Sequence, residues 1–292
     1  MSDKDNDYLY RFVFEDFGVR GEFVRLAASW QAVREKHHYP APVAQALGSA
    51  LAAVSLLSAT IKFRGSLVLQ VQGDGLVRSL VAQATDQGTL RGMASFQALP
   101  EGQEPAADEL LGHARLVLTA ESPDGERYQG IVPVEGGSVA GAVEHYFRQS
   151  EQLPTRLWLA ASGDRVGGLF LQRLPGATDD AEDWHRVITL ADTISDEELL
   201  SLDVEELLHR LFHEESVRLF EPEPLAFRCS CSRERVGRAL VAIGEGEVAQ
   251  ILDEMGSIEV NCEFCNASYR FDAVDAAALF TQPPADAPES VQ

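Results

Sequence analysis

Four cysteines are the residues of this chain whose types and spacing could do chemistry. Cys229 and Cys231 form a C-x-C pair, Cys262 and Cys265 form a C-x-x-C pair, and thirty residues separate the two pairs. Such pairs lie on short turns, and two turns can bring four thiolates onto one tetrahedral Zn²⁺ at about 2.3 Å per sulfur. A closed shell of four thiolates has no position for a metal-bound water. The spacing therefore predicts one zinc ion that is structural, or regulatory through its thiolates, and not hydrolytic.

Two other uses of four cysteines remain open at this point. Two permanent disulfides are typical of secreted proteins, but the first seven residues are polar and acidic and do not form the charged and then apolar pattern of a secretory leader. A thioredoxin-like C-x-x-C motif needs a helix after it, whereas residues 266–272 read as a turn and a short strand. Zinc binding is the interpretation that both observations favour.

The zinc thiolates are also candidates for redox chemistry. Arg228, Arg233 and Arg235 put positive charge on the turn that carries the C-x-C pair, and positive charge favours thiolate over thiol. Peroxide or hypochlorous acid would convert the ligands to sulfenic acids or disulfides, which release the metal and the folding energy it supplies. Most Cys₄ sites are inert, so spacing alone does not separate a switch from a structural site.

Composition describes a large globular protein and limits its partners. The chain has 292 residues, 45% of them hydrophobic, and its 24 basic against 46 acidic residues give a formal net charge of -22. This charge repels phosphate backbones and anionic membranes, so we expect neither a nucleic-acid partner nor a membrane partner. Cysteines confined to a metal cluster, together with the polar start of the chain, predict a reducing cytoplasm.

Hydrophobic patterning predicts an α+β fold with mostly antiparallel sheets. Predicted strands are separated by turn residues and linked mainly as hairpins; they cover residues 8–14, 22–26, 66–72, 76–82, 114–119, 128–133, 156–161 and 167–172. Residues 43–61 carry no charge and are long enough for a membrane helix. Their Ala, Ser, Gln45 and Gly48 give only modest hydrophobicity, so we interpret them as a helix packed inside a large core. A second helix is predicted at residues 139–149.

Enzymatic motifs are missing from the sequence. It contains no G-x-x-x-x-G-K-[ST] phosphate loop, no G-x-G-x-x-G and no H-E-x-x-H. Residues 136–140 fall one residue short of a nucleophile elbow, and His145 is better explained as a surface residue of the following helix. We therefore predict that the protein is not an enzyme.

An acidic segment precedes the cysteines. Fifteen Asp and Glu residues lie between Asp179 and Glu223, against three arginines. Apolar residues still recur at helical spacing; they include Trp184, Val187, Leu207, Leu211 and Phe212. Residues 195–198 and 203–206 each place a capping side chain three residues before a glutamate, which is a helix-start signal. Repulsion between carboxylates makes these helices marginal and dependent on docking, although an ordinary acidic linker has the same composition.

The motifs together resemble one family. The two cysteine pairs, Tyr146-Phe-Arg-Gln-Ser-Glu-Gln-Leu-Pro-Thr155, Gln70-Val-Gln-Gly-Asp-Gly75 and Tyr128-Gln-Gly-Ile-Val132 resemble the bacterial 33 kDa heat-shock chaperonin family, the redox-regulated holdases, from about Tyr8 to Phe280. The resemblance implies an ATP-independent chaperone that binds unfolded or partially unfolded client proteins under oxidative stress. It implies an inactive reduced form with one Zn²⁺ per chain, and activation by Cys229–Cys231 and Cys262–Cys265 disulfides with zinc release, linker unfolding and homodimerisation.

These inferences give a predicted domain organisation. Residues 1–176 form an α+β chaperone core, residues 177–226 a metastable acidic helical linker, residues 227–281 a zinc-binding redox-switch domain and residues 282–292 a disordered tail. The five apolar linker residues Trp184, Val187, Leu207, Leu211 and Phe212 are candidates for binding clients or for covering the client-binding surface. A protein-interaction module with a purely structural zinc site, and a thiol-disulfide oxidoreductase, are the alternative functions.

Overall fold

The chain divides into two compact units. A computed structural model describes residues 7–99, 105–175 and 181–281. The units are Met1–Arg228 and Cys229–Gln292, and all four cysteines belong to the second one. The division of the first unit into a core and a linker stays a prediction, and the predicted tail at residues 282–292 lies outside the described residues.

The described strands follow one another in groups of two or three, and the helices lie between these groups, as is typical of an α+β protein. The strands are β1 (Tyr8–Phe14), β2 (Val19–Leu26), β3 (Ser66–Gln72), β4 (Val77–Thr85), β5 (Thr89–Phe96), β6 (Ala114–Glu121), β7 (Arg127–Val134), β8 (Thr155–Ala161), β9 (Val166–Arg173), β10 (Val217–Leu219), β11 (Glu223–Pro224), β12 (Ala226–Phe227), β13 (Ile258–Asn261) and β14 (Ser268–Phe271). The helices are α1 (Ala28–Arg34), α2 (Ala41–Thr60), α3 (Ala107–Leu111), α4 (Val139–Tyr146), α5 (Ala181–Ala191), α6 (Asp196–Ser201), α7 (Val204–Phe212), α8 (Arg233–Ile243), α9 (Glu245–Met255) and α10 (Ala273–Thr281).

Two sheets form the framework of the first unit. The first sheet has the order β10-β1-β2-β9-β8, with β11 also paired to β1. The second has the order β12-β5-β4-β3-β6-β7. Neighbouring strands in both sheets are antiparallel except β12 and β5, which are parallel. The predicted fold class, α+β with mostly antiparallel sheets, is confirmed.

Helix α2 is the centre of the main core. It packs against strands of both sheets, and one apolar cluster contains its residues together with the inner faces of those sheets. The small residues of α2 allow this close packing. A Cβ added to Gly48, for example, would lie only 2.7 Å from the Ala161 Cβ. By length and composition α2 could cross a membrane, but 67% of its apolar window is buried inside the protein. Burial on nearly all sides explains its uncharged sequence.

The first sheet is covered on both faces, whereas the second is covered on one. Side chains of β3 alternate between buried and half-exposed positions, which is the pattern of a sheet with one solvated face. In β9 seven of the eight residues are buried. The second face of this sheet is covered by α5, α6 and α7, which share an apolar cluster with β1, β2 and β9. The acidic segment is thus a covering layer of the first sheet.

The second unit is small. It contains α8, α9 and α10 and the hairpin of β13 and β14. Its buried apolar residues in the described part of the chain are Leu240, Val248, Ile258, Phe271 and Ala276. A core of this size gives little stability by itself, so a further source such as a bound metal is physically reasonable.

Candidate metal centre

Two short turns carry the four cysteines. Cys229 and Cys231 precede α8, whose first turn is capped by the Ser232 hydroxyl accepting from the Arg235 amide. Cys262 and Cys265 lie in the turn between β13 and β14. In that turn the Cys262 amide donates to the Ala267 carbonyl (2.9 Å), and the Asn266 amide donates to the Cys262 carbonyl (2.7 Å). These backbone bonds fix the direction of the C-x-x-C pair.

The four Sγ atoms converge on one point. All lie within 4.8 Å of one another, and the cross-pair distances are 3.6 Å for Cys229 to Cys262 and 3.3 Å for Cys231 to Cys265. A tetrahedral Zn²⁺ with Zn–S bonds of about 2.3 Å requires sulfurs about 3.8 Å apart. The donor set and its spacing therefore fit a structural zinc ion. The structure brings the four sequence-predicted ligands together in one cluster.

Arginines brace the same turn. Arg235 donates to the carbonyl oxygen of Ser230 (3.0 Å) and to its hydroxyl. Arg233 donates to the Arg270 carbonyl (2.7 Å) and pairs with Asp275 (2.8 Å). The sequence predicted that these charges act on the thiolates. The structure shows Arg233 and Arg235 bound to backbone, hydroxyl and carboxylate groups, contacts that hold the turn in shape. Their effect on the thiolates stays a prediction.

The thiols differ in acidity. Burial raises the pKa of the Cys229 thiol, but hydrogen bonds from the Cys231 amide and the neighbouring thiols outweigh this effect and lower the pKa to about 7. Burial raises the pKa of Cys262. Burial, with thiol hydrogen bonds added to it, raises the pKa of Cys265 to about 12. The thiolate is the form of cysteine that reacts with oxidants.

Tyr269 is a member of the site that sequence reasoning missed. Its hydroxyl donates to Cys231 Sγ at 3.1 Å, and this bond raises the Tyr269 pKa to about 12. The sequence places Tyr269 on the short strand predicted after the C-x-x-C pair, but its contact with Cys231, 38 positions away, has no local signal. Outer hydrogen bonds of this kind orient metal ligands.

The candidate linker residues lie together on the first sheet. Val187, Leu207, Leu211 and Phe212 are at most 3% exposed, and Trp184 packs at the edge of the same cluster. The Phe212 ring meets the Phe14 ring of β1 edge to face at 5.0 Å. The structure therefore shows these residues as a cover for the sheet. Their predicted relation to clients is not tested by this placement.

Each arginine of the acidic segment lies in an ion pair. Arg186 pairs with Glu215 (2.8 Å) and Asp183 (2.9 Å). Arg210 pairs with Glu198. From the sheet side, Arg156 pairs with Asp192 at 2.8 Å. The side chains of these pairs are partly exposed, and surface pairs contribute between about 0 and 1 kcal/mol each, so the apolar faces are the main attachment of these helices to the sheet.

The comparisons with known proteins agree with one another. The family model described as Hsp33 protein matches residues 7–272. The 33 kDa chaperonin of Nitrosococcus oceani is 52% identical over 283 residues, covering 97% of this chain and 96% of the relative. That of Pseudomonas aeruginosa is 50% identical over 281 residues, covering 94% and 95%.

A solved structure supports the fold. The crystal structure of the 33 kDa chaperonin (heat shock protein 33 homolog) of Thermotoga maritima superposes with a TM-score of 0.81, at 24% identity, over 94% of this chain and 98% of that one. With the family match over most of the chain, and with relatives at about half identity along nearly their whole length, the chain belongs to the Hsp33 family.

Proposed function

We propose that the protein is a redox-regulated, ATP-independent holdase that binds unfolding proteins and prevents their aggregation. The observation that carries the proposal is the four-thiol cluster, in which all Sγ atoms lie within 4.8 Å of one another. The names of the family members support the chaperone part. The absence of a phosphate-loop motif from the sequence agrees with ATP independence.

In the reduced form Cys229, Cys231, Cys262 and Cys265 hold one Zn²⁺. The ion supplies a closed four-coordinate centre that ties the two turns together. Because the second unit has a thin core, these ligand bonds are a large part of its folding free energy. Tyr269 holds Cys231 in place through its hydroxyl.

Oxidation removes the ligands. For each disulfide, two thiolates lose two electrons to one peroxide molecule, the O–O bond breaks, an S–S bond forms and two protons are taken up to give two waters. The resemblance assigns the pairs as Cys229–Cys231 and Cys262–Cys265. Neither disulfide binds the metal as thiolates do, so the second unit loses the metal that links its two cysteine turns.

The acidic helices respond to that loss. Their attachment is an apolar face on the first sheet, together with partly exposed ion pairs. Neighbouring carboxylates cost a few tenths of a kcal/mol per i,i+4 pair. Release of this cover exposes apolar surface on both the helices and the sheet, and clients and a second copy of the chain bind to the exposed surfaces. The net charge of -22 argues against nucleic-acid and membrane partners, and we place the protein in the bacterial cytoplasm.

An aggregation assay tests the proposal. Citrate synthase diluted from guanidinium chloride is followed by light scattering, with the reduced zinc-loaded protein or with the peroxide-oxidised protein, in the absence of ATP. We expect suppression near equimolar ratio by the oxidised protein only. Equal activity of both forms would contradict redox control, and catalytic turnover of a dithiol substrate by Cys262 and Cys265 would favour an oxidoreductase.

A further inference from the structure

The chain that follows α7 covers the outer edge of the first sheet. Strand β10 pairs with the end of β1, and β11 pairs with its beginning. The Phe220 amide donates to the Arg11 carbonyl (2.9 Å), and the Glu15 amide donates to the Ser216 carbonyl (2.8 Å). Backbone groups alternate in direction along a strand. The odd-numbered residues of β1 therefore bind this cover, and the even-numbered ones bind β2.

The segment that covers this edge, β10 and β11, is short and weakly attached to β1. Strand β10 has three residues and β11 has two. The ion pairs Arg11–Glu223 and Arg218–Glu15 (3.5 Å) join it to β1, and the side chains of both pairs are about half exposed. Pro222 and Pro224 follow β10, and short strands, charges and prolines are the devices that keep a sheet edge from pairing with other chains. In the resting state the outer edge is therefore protected.

Strand β1 has one charged residue, Arg11, and otherwise lacks these devices. Its seven residues, YLYRFVF, include no glycine and no proline, and aromatic and β-branched residues favour the extended conformation. Its Phe12 and Phe14 rings face the cluster formed with α7. An uncovered edge strand of this length and composition is a template for pairing with another extended chain.

We propose that β1 is a switchable edge strand, and that an extended segment of an unfolding client replaces β10 and adds to β1 as an antiparallel strand. The proposal rests on the proposed function, because release of the acidic segment must also free β10 and β11 from β1 before a client can bind there. It names the mode of recognition, which is β-strand addition at a sheet edge. Main-chain hydrogen bonds are independent of sequence, so one edge serves many clients.

The cover shows which client segments fit. Val217 and Leu219 of β10 pack against the apolar cluster, and Arg218 between them is exposed. Side chains alternate between the two faces of a strand, so the matching client segment alternates apolar and polar residues. Its apolar side chains would lie beside Phe12 and Phe14 once the helices have left. Such segments are buried in folded proteins and appear when proteins unfold.

Residue-resolved hydrogen exchange tests the proposal on the full-length protein. Reduced carboxymethylated α-lactalbumin is the client, because it stays unfolded and has no free thiol. Exchange is measured for the reduced protein, the oxidised protein and the oxidised protein with client, and is read by NMR after quenching and transfer to dimethyl sulfoxide. We expect the Val13 and Glu15 amides to lose protection at least tenfold on oxidation and to regain it with client. Phe12 and Phe14 amides, which bind β2, are the internal control and stay protected.

The outcomes separate this proposal from the one on which it rests. If Val13 and Glu15 stay protected after oxidation, the cover does not leave and the proposed release fails. If they lose protection and client does not restore it, while aggregation is still suppressed, strand addition at β1 is wrong and the proposed function stands. If protection returns without client as the protein concentration rises, the occupant is a second copy, which also overturns the proposal.

A peptide provides an independent test with a matched control. The peptide has the sequence of residues 214–225 and competes with the client for the oxidised protein. N-methylation at Arg218 and Phe220 blocks the amides that face β1, whereas N-methylation at Val217 and Leu219 blocks amides that face away. We expect the first peptide to lose at least tenfold in competition and the second to match the unmodified peptide. Equal competition by the two methylated peptides would show that backbone pairing is not used.

Discussion

The buried carboxyl of Glu22 shows how one residue links protonation to stability. Glu22 lies on β2 and is 2% exposed. Its nearest charge is Arg20, at 3.9 Å, and its Oε2 atom has no hydrogen-bond partner among the described residues. Burial raises the pKa of Glu22 to about 7, and the charges of Arg20 and Arg11 offset only part of the effect. The folded protein therefore holds a proton that the unfolded chain releases near pH 4.5.

Replacement of Glu22 by Gln is expected to stabilise the protein at high pH. A raised folded-state pKa means that the free energy of unfolding falls as the pH rises from about 4.5 to 7, by up to about 3 kcal/mol. Glu22→Gln removes the ionisation, so it should be nearly neutral at pH 5 and stabilising by about 1 to 3 kcal/mol at pH 8. Urea unfolding of the reduced zinc-loaded protein measures this difference. Glu121→Gln, at an exposed pair with Arg127, is the control, and an equal effect at both pH values would contradict the pKa shift.

At the metal site, Cys262→Ser should abolish zinc binding. Three thiolates and a hydroxyl do not make a tight zinc site in a turn built for four sulfurs. We expect about one zinc per chain in the wild type, near none in the variant, and lower thermal stability of residues 229–281. Elemental analysis under reducing conditions measures the metal. Ser230→Ala, in the turn between Cys229 and Cys231, should retain zinc. Retention of zinc by Cys262→Ser would remove Cys262 from the ligand set.

The sequence predicted the ligands but not all of their surroundings. Cysteine spacing is a local signal, and it named the four sulfurs that the fold brings together. Tyr269 and Glu22 were missed because their roles depend on contacts with residues that are distant in sequence. The hydroxyl of Tyr269 reaches Cys231 across 38 positions of sequence, and the burial of Glu22 depends on sheet packing. The residues next to Tyr269 and Glu22 in the sequence indicate neither this contact nor this burial.

At the scale of elements, some features of the acidic segment were predictable from local sequence signals, whereas others depend on tertiary contacts. The predicted capping box at Ser195 and Glu198 is present in full. At Asp203 the predicted cap is the N-cap residue, but its side chain makes no capping hydrogen bond and lies 3.9 Å from Arg25. Strands β10, β11 and β12 were not predicted, because runs of two or three residues carry no periodicity. They exist through pairing with β1 and β5.

In the core too, some elements were predictable from the sequence and others depend on tertiary contacts. The sequence predicted α2 and eight strands, because their apolar patterns are long enough to read. Strand β5 was missed: its sequence TLRGMASF includes a glycine and small residues, which lower strand propensity. It forms because β4 pairs along it. The predicted helix at residues 139–149 changes to a π-helical turn at Phe147–Glu151, a change that periodicity does not signal.

Replacement of Leu207 and Leu211 by Ser is expected to activate the protein without oxidant. Both side chains are buried in the cover on the first sheet, and loss of each costs about 2 kcal/mol or more. The docked state should therefore lose population by well over tenfold. Suppression of citrate synthase aggregation by the reduced double variant measures the effect. Glu206→Ser with His209→Ser, on the exposed side of α7, is the matched control.

The same double variant shows whether Leu207 and Leu211 only cover the sheet or also bind client. If the two leucines only cover the sheet, the oxidised variant keeps full capacity for client. If they also bind client, the capacity of the oxidised form falls. A double variant that is inactive when reduced and fully active when oxidised would show that Leu207 and Leu211 do neither.

At the scale of the whole molecule, the first unit contains two apolar clusters and the second unit contains one smaller cluster. The main core contains α2 and the inner faces of both sheets. The acidic layer contributes a second cluster to the first unit, and the second unit has a core of its own. The chain leaves β12 at Phe227 and reaches the first of the four clustered cysteines two residues later, at Cys229. The cysteine cluster is therefore close in sequence to β10, β11 and β12, which pair with the edge strands β1 and β5.

We expect metal loss and release of the acidic layer to occur together. After peroxide, hydrogen exchange should accelerate in residues 229–281, because their thin core loses the metal, and in residues 181–212, because their like charges are opposed mainly by one apolar face. Strands β3, β4 and β6 should stay protected as the internal control. Zinc release, followed with a chromogenic chelator in the same sample, gives the time course for comparison. A strong chelator under reducing conditions removes the metal without forming disulfides, and it should reproduce the change in residues 229–281. Constant protection of residues 181–212 while zinc leaves would show that the metal and the acidic layer are uncoupled, and the switch would then need another physical connection.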